Sequence, residues 1–378
     1  MTDGRARGGG RGGFGLIVIA KIGSSSITDD AGHVDSTAVA KFCAEVAALW
    51  EIGHRVVVVT SGAIAAGLPA IGLDHKKTRD AVTLQAVSAI GQSRLMGVYD
   101  DALGELGLVG GQVLLAPLDF MMRQQYLHAR STLLRLLELG VVPVVNENDA
   151  IADDEIRFGD NDRLAALVAH LVKADLLVLL TDQPGLLTAD PRFEPHASLI
   201  EEIVEIDHTL DAVVGGAGER GSGGMASKLA AAKIAAWSGV RAIIAQADRP
   251  NVLVDAVSGT NGIGTVVVPR GRRLGARKLW IAFAVGSSGT VVVDEGARTA
   301  VLGRGKSLLP AGVVDVKGSF EAEAAVEIAT TDGAVFAKGL TRIDAAGLRA
   351  VCGKKTNELP EGVPHEAVHR DDLVVLPR

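Results

Sequence analysis

Six short apolar runs punctuate the first two-thirds of the chain, at residues 15–20, 56–60, 109–115, 141–146, 176–181 and 241–245, and they are continuous rather than alternating. A strand with one wet face alternates apolar and polar residues, so continuous runs belong to strands covered on both faces, as in a parallel sheet with helices on either side. The stretches between them have helical period. Val39, Phe42, Cys43, Val46, Leu49 and Trp50 share one stripe, preceded by the cap residues Asp35 and Ser36 and closed by Gly53. Further helices are expected over residues 80–103, 123–139, 162–172 and 225–238. This alternation predicts an α/β fold, a parallel-sheet αβα sandwich.

The rhythm stops near Pro269, where a run with Arg270, Arg272, Arg273, Arg277 and Lys278 reads as an exposed linker. Beyond it, short strands at 290–293, 313–316, 325–328 and 334–338, separated by glycine-containing turns, predict a small barrel-like β domain. The expected organisation is a disordered Gly/Arg tail over 1–13, a large domain over 14–268, a linker over 269–278 and the small domain over 279–378. A net charge of −7 weighs against nucleic acid or an anionic membrane as main partner, since both select a positive field. No apolar run reaches the roughly 18 residues of a membrane helix. Cys43 and Cys352 have neither metal-type spacing nor the number for a disulfide framework, which fits a reducing cytoplasm.

Ligands of an open parallel sheet bind outside the carboxyl ends of its strands. There the first run leads into Lys21 and Gly23, a cation beside a glycine that lets a phosphate approach the backbone. The second leads into Thr60, Ser61 and Gly62 and a helix start of small residues. A closely packed helix start would read the same way. Asn146 to Asp149, then Arg157 to Asp162, form the densest polar cluster; one Asp160 or Asn161 is explained as a helix cap, but two clusters bracketing a loop exceed what capping needs. Thr181 and Asp182 follow another strand. The glycine-rich residues 221–228 open a helix and end on Lys228; no Ser or Thr follows that lysine, so this is not a P-loop. A GxGxxG pattern at Gly8, Gly10 and Gly13 precedes a strand instead of following one, which rejects dinucleotide binding.

Taken in chain order, these loops closely resemble those of the amino-acid kinase family, from about Phe14 to Val268, and residues 290–297 with 307–312 resemble the PUA domain that many members carry. Ile22, Ser24, Ser222 and Arg157 are mild departures from the family pattern. The resemblance is strongest to members that phosphorylate glutamate. It implies transfer from ATP, with Mg2+ carried on the phosphates and no protein-held metal, to the γ-carboxylate of L-glutamate, giving L-glutamyl 5-phosphate for proline synthesis, with proline as feedback inhibitor and a homo-oligomer, dimer or tetramer, as the assembly. It assigns ATP to Lys21, Thr181, Asp182, Ser222, Gly223, Gly224, Met225, Ala226, Ser227 and Lys228. It assigns glutamate to Ser61, Asp149 and Asn161, and a catalytic place to Asp162 with Lys21 and Lys228.

Overall fold

The computed structural model describes residues 14–376 apart from 30–31, 74–79, 117–118, 121, 152–160, 190–193, 195, 205–223, 272 and 285. The described chain falls into two units that meet in sequence at Arg270 and Gly271.

The first unit is one eight-stranded sheet. Its strands are β1 (Ile17–Lys21), β2 (Arg55–Val59), β3 (Val109–Leu115), β4 (Val141–Glu147), β5 (Leu176–Thr181), β6 (Glu202–Ile203), β7 (Arg241–Gln246) and β8 (Thr265–Val267), in the order β3-β4-β2-β1-β5-β7-β8-β6. All neighbours are parallel except β7 and β8, which run antiparallel. The short β6 and β8 were not among the expected strands. Gly264 permits the tight approach into β8: its φ is +150°, and a Cβ there would lie 2.1 Å from the Ile244 carbonyl oxygen.

Helices cover both faces: α1 (Ser36–Glu51), α2 (Ala63–Gly67), α3 (Ala81–Glu105), α4 (Arg123–Glu138), α5 (Asn161–Val172), α6 (Met225–Trp237) and α7 (Val252–Ser258). Asp35 caps α1 by accepting from the Thr37 amide at 2.8 Å, and Asp80 caps α3 by accepting from the Thr83 amide at 2.8 Å. Because strand side chains alternate, Val18, Ala20, Val56 and Val58 pack under α1, α3 and α7 in one cluster with Phe42, Leu95, Tyr99 and Leu253. Ile17, Ile19, Val57 and Val59, equally buried, face the opposite layer of α4, α5 and α6. Each such side chain withdrawn from water contributes about 1.5–3 kcal/mol.

One expected strand departs from burial on both faces. β3 is the edge of the sheet and Val109 is 62% exposed, because among the described residues no strand pairs beyond it. Its inner side stays tight: a Cβ on Gly110 would lie 2.8 Å from an Asp100 carboxylate oxygen of α3.

The second unit has its own five-stranded sheet, β9 (Gly289–Val293), β10 (Val313–Gly318), β11 (Ala325–Thr330), β12 (Val335–Thr341) and β13 (Val368–Val375), in the order β10-β9-β11-β12-β13. β9 and β11 are parallel and the other pairs antiparallel. Val291, Ile328, Phe336, Leu348 and Val368 belong to its separate core. Two helices outside the expectation, α8 (Glu295–Arg304) and α9 (Ala345–Val351), are capped by Asp294 and Asp344, each accepting a backbone amide at 2.7 Å.

The segment expected as a solvated linker is ordered at both ends. The Arg270 guanidinium stacks over Trp237 at 4.9 Å and its amide donates to the Ala236 carbonyl. Residues Ala276–Leu279 form a short helix in which Arg277 pairs with Asp372 at 2.5 Å.

Candidate active site

At the centre of the sheet β1 and β5 lie side by side, and the chain leaves them in opposite directions, toward β2 and toward β7. Such a switch point leaves a crevice at the carboxyl ends of the strands. Lys21 is the last residue of β1 and Thr181 the last of β5. The first turn of α5 brings Asn161 and Asp162, and the first turn of α6 brings Lys228.

Asp162 is wholly buried between two lysines: one carboxylate oxygen lies 2.5 Å from Lys21 Nζ, the other 3.0 Å from Lys228 Nζ. Lys21 is 4% exposed and Lys228 5%. Charges this deep persist only when paired, and here one carboxylate faces two ammoniums. Behind Lys228, the thirteen-residue helix α6 presents the positive end of its dipole at Gly224, Met225, Ala226 and Ser227. The arrangement favours an anion.

Beside this pair lies a polar cluster. The Asn161 amide nitrogen donates to the Thr60 carbonyl at 2.7 Å, to Asn146 Oδ1 at 2.8 Å and toward Ser61 Oγ at 3.0 Å. Its own Oδ1 is buried without a hydrogen-bond partner among the described residues. A buried acceptor left open costs about 1–3 kcal/mol, so it marks a place where a ligand donor belongs. The half-buried Asp149, in the turn Asp149–Ile151, accepts from the Ser88 hydroxyl of α3 at 2.8 Å.

A model of the amino acid kinase family matches residues 16–246, the stretch that carries every one of these groups. The chain belongs to the amino acid kinase family. A PUA domain model matches residues 289–363 of the second unit. The chain is 44% identical over 364 residues to the protein named glutamate 5-kinase of Burkholderia multivorans, covering 95% of this chain and 97% of that one. It is also 44% identical over 364 residues to the glutamate 5-kinase of Polaromonas sp. strain JS666, covering 95% and 96%.

For an amino acid kinase the remaining expected residues divide as follows. Thr181 donates to Asp182 at 3.0 Å, forming a pair of their own at the end of β5, buried at Thr181 and exposed at Asp182. Gly224, Met225, Ala226 and Ser227 lie where α6 begins, while Ser222 and Gly223 lie outside the described residues. Helix α3 supplies groups that sequence reasoning did not single out: Ser88, Gln92 and Tyr99. Tyr99 shares a 2.8 Å hydrogen bond with the Thr60 hydroxyl, and burial holds its phenol well above the usual range.

Two glycines bring α3 that close. A Cβ on Gly91 would lie 1.7 Å from the Ala63 carbonyl oxygen, and one on Gly67 2.1 Å from the Val87 carbonyl oxygen, so α2 and α3 cross backbone to backbone. Gly62, at φ +100°, turns the chain from β2 into α2. Ser88, Gln92 and Tyr99 stand four and seven residues apart on one helical face otherwise occupied by Leu95 and Leu103, and this polar interruption is the signal that could have found them.

Proposed function

We propose that this amino acid kinase transfers the γ-phosphoryl group of ATP to the γ-carboxylate of L-glutamate, giving L-glutamyl 5-phosphate and ADP, the first step of proline biosynthesis. The observation that carries the reading is the buried Lys21–Asp162–Lys228 bridge at the switch point of the sheet.

A γ-carboxylate is ionised at neutral pH and is already nucleophilic, so the reaction needs positioning and charge neutralisation rather than a general base. Lys21 and Lys228 clamp the phosphoryl oxygens as it moves. Asp162 holds both ammoniums in place beforehand, so little reorganisation accompanies the transfer. The start of α6 and the Thr181–Asp182 pair cradle the nucleotide. Asn161 Oδ1 and Asp149 receive the α-ammonium of glutamate. Ser61 Oγ already accepts from Asn161, which leaves its own proton to donate to a substrate carboxylate. The two lysines and the helix terminus fit a triphosphate whose Mg2+, when bound, neutralises phosphate oxygens. Lys21, Lys228 and the α6 start would hold that complex through its phosphates.

Proline binding around the glutamate site as inhibitor, a cytoplasmic location and a dimeric or tetrameric assembly complete the proposal. Among the described residues no helix is long and apolar enough to cross a membrane.

The test is coupled ADP release with L-glutamate, L-aspartate and N-acetyl-L-glutamate as acceptors. Turnover with glutamate alone is expected, slowed by millimolar proline at subsaturating glutamate. Turnover with one of the others and none with glutamate overturns the substrate assignment.

A further inference from the structure

A serine in a helix has a local use for its hydroxyl, which can donate to the carbonyl four residues back. Ser131, Ser238 and Ser258 use theirs in this way, donating to the carbonyls of Leu127, Ile234 and Val254 at 2.8, 2.8 and 2.9 Å. Ser88, 1% exposed in the interior of α3, does otherwise. Its hydroxyl crosses 61 residues of sequence and donates to Asp149 Oδ2 at 2.8 Å. A hydrogen bond to an ionised acceptor is among the stronger ones a hydroxyl can make.

The two ends of this bond are anchored differently. Ser88 follows Val87, whose carbonyl oxygen lies so near α2 that a Cβ on Gly67 would stand 2.1 Å from it, and Gly91, one turn further on, meets the Ala63 carbonyl as closely. Helix α3 is therefore pinned to α2 at the serine. Asp149 instead opens the single turn Asp149–Ile151 beyond β4, where Ala150 and Ile151 are exposed and the Ile151 amide donates back to the Asn148 carbonyl at 3.2 Å. The terminal torsion of an aspartate is broad, so the plane of its carboxylate is set by what its oxygens bind. Ser88 fixes where Oδ2 points.

We propose that Ser88 is a positioning residue for the acceptor substrate: it holds the Asp149 carboxylate at the angle that receives the α-ammonium of glutamate, and so sets glutamate affinity without a role in phosphoryl transfer. This rests on the glutamate reading above and adds to that site a determinant that lies on α3, outside the strand-end loops.

The test measures ADP release by the full chain with L-glutamate, with the ATP KM and the thermal midpoint followed in parallel. Ser88→Ala removes the hydroxyl with almost no change of shape. It is expected to raise the glutamate KM about fivefold, the effect of one lost hydrogen bond, with kcat and the ATP KM changed less than twofold. Ser88→Thr keeps the donor and is expected to restore the wild-type KM. In an Asp149→Ala background the hydroxyl can turn back to the Leu84 carbonyl of its own helix, so adding Ser88→Ala should raise the KM no further.

An unchanged glutamate KM in Ser88→Ala, a fall in kcat equal to the rise in KM, or the full further loss when Ser88→Ala is added to Asp149→Ala would overturn the positioning role and leave the substrate assignment standing. So would Ser88→Thr performing no better than Ser88→Ala at a wild-type melting point; should its added methyl lower the melting point, the double variant decides. Wild-type protein without glutamate-dependent ADP release overturns the assignment itself and the role of Ser88 with it.

Discussion

Asp162→Asn keeps the shape of the side chain and removes the only charge it contributes between Lys21 Nζ at 2.5 Å and Lys228 Nζ at 3.0 Å. Both lysine side chains are at most 7% exposed, so water cannot replace the lost carboxylate. The new amide also points donor hydrogens at an ammonium. Removing one partner of a buried ion pair costs about 3–5 kcal/mol, and the two pairs share one carboxylate, so their penalties overlap instead of doubling. At about 2–4 °C per kcal/mol for a domain of this size, the transition of the first unit should fall by roughly 6–20 °C. The assay is thermal denaturation of the full chain by circular dichroism, for Asp162→Asn, Lys228→Met and the double variant, with ADP release measured alongside. If uncompensated charge is the cause, removing Lys228 relieves it, and the double variant melts above Asp162→Asn alone. Turnover of Asp162→Asn should fall by about a hundredfold or more, as when one preorganised transition-state contact is lost. A melting point within about 2 °C of wild type, or Lys228→Met costing the same in both backgrounds, refutes the charge-burial argument.

Asp149→Ala removes the acceptor that Ser88 holds in place and is expected to raise the glutamate KM about tenfold with the ATP KM unchanged; an unchanged glutamate KM removes Asp149 from the site. Alkaline pH should destabilise the first unit through two buried acids. Burial pushes the Cys43 thiol up from 9.0 to about 12 and raises the Tyr99 phenol from 10.0. Both pKa values are raised by folding, so the unfolded chain releases its protons first; the stabilisation is complete below pH 9 and is lost as pH rises toward 12. The thiol alone gives a slope of up to about 1.4 kcal/mol per pH unit. Urea midpoints at pH 8 and 10.5 should therefore diverge more in wild type than in Cys43→Ala, and equal divergence shows that the thiol is not responsible.

What could be read from the sequence follows from which interactions are local. The six continuous runs correspond to β1, β2, β3, β4, β5 and β7, and for all but the edge strand β3 burial on both faces leaves a composition that needs no partner to be recognised; α1 and α3 announce their starts through Asp35 and Asp80. β8 is three residues long and joins its sheet antiparallel, and β13 carries His369, Arg370, Asp371 and Asp372 in its middle; neither has the apolar run that a strand search needs. The second unit's helices α8 and α9, with caps at Asp294 and Asp344, lie among glycine-containing turns that hide a helical period.

The site divides along the same line. Lys21, Asp162 and Lys228 are legible as residues at strand and helix ends, and the structure brings them within 2.5 and 3.0 Å of one another through Asp162. The spacing of Ser88, Gln92 and Tyr99 places them on one face of α3, yet nothing local tells whether that face meets solvent, a core or a strand end. Their partners are Asp149, Asn146 and Thr60, 61, 54 and 39 residues away, brought there by the crossing that Gly67 and Gly91 permit. A lysine near a phosphate site declares its chemistry by its charge. An amide declares nothing until its partners fix which of its two atoms faces the ligand, so Asn161 becomes readable only once the Thr60 carbonyl and Asn146 are in place beside it.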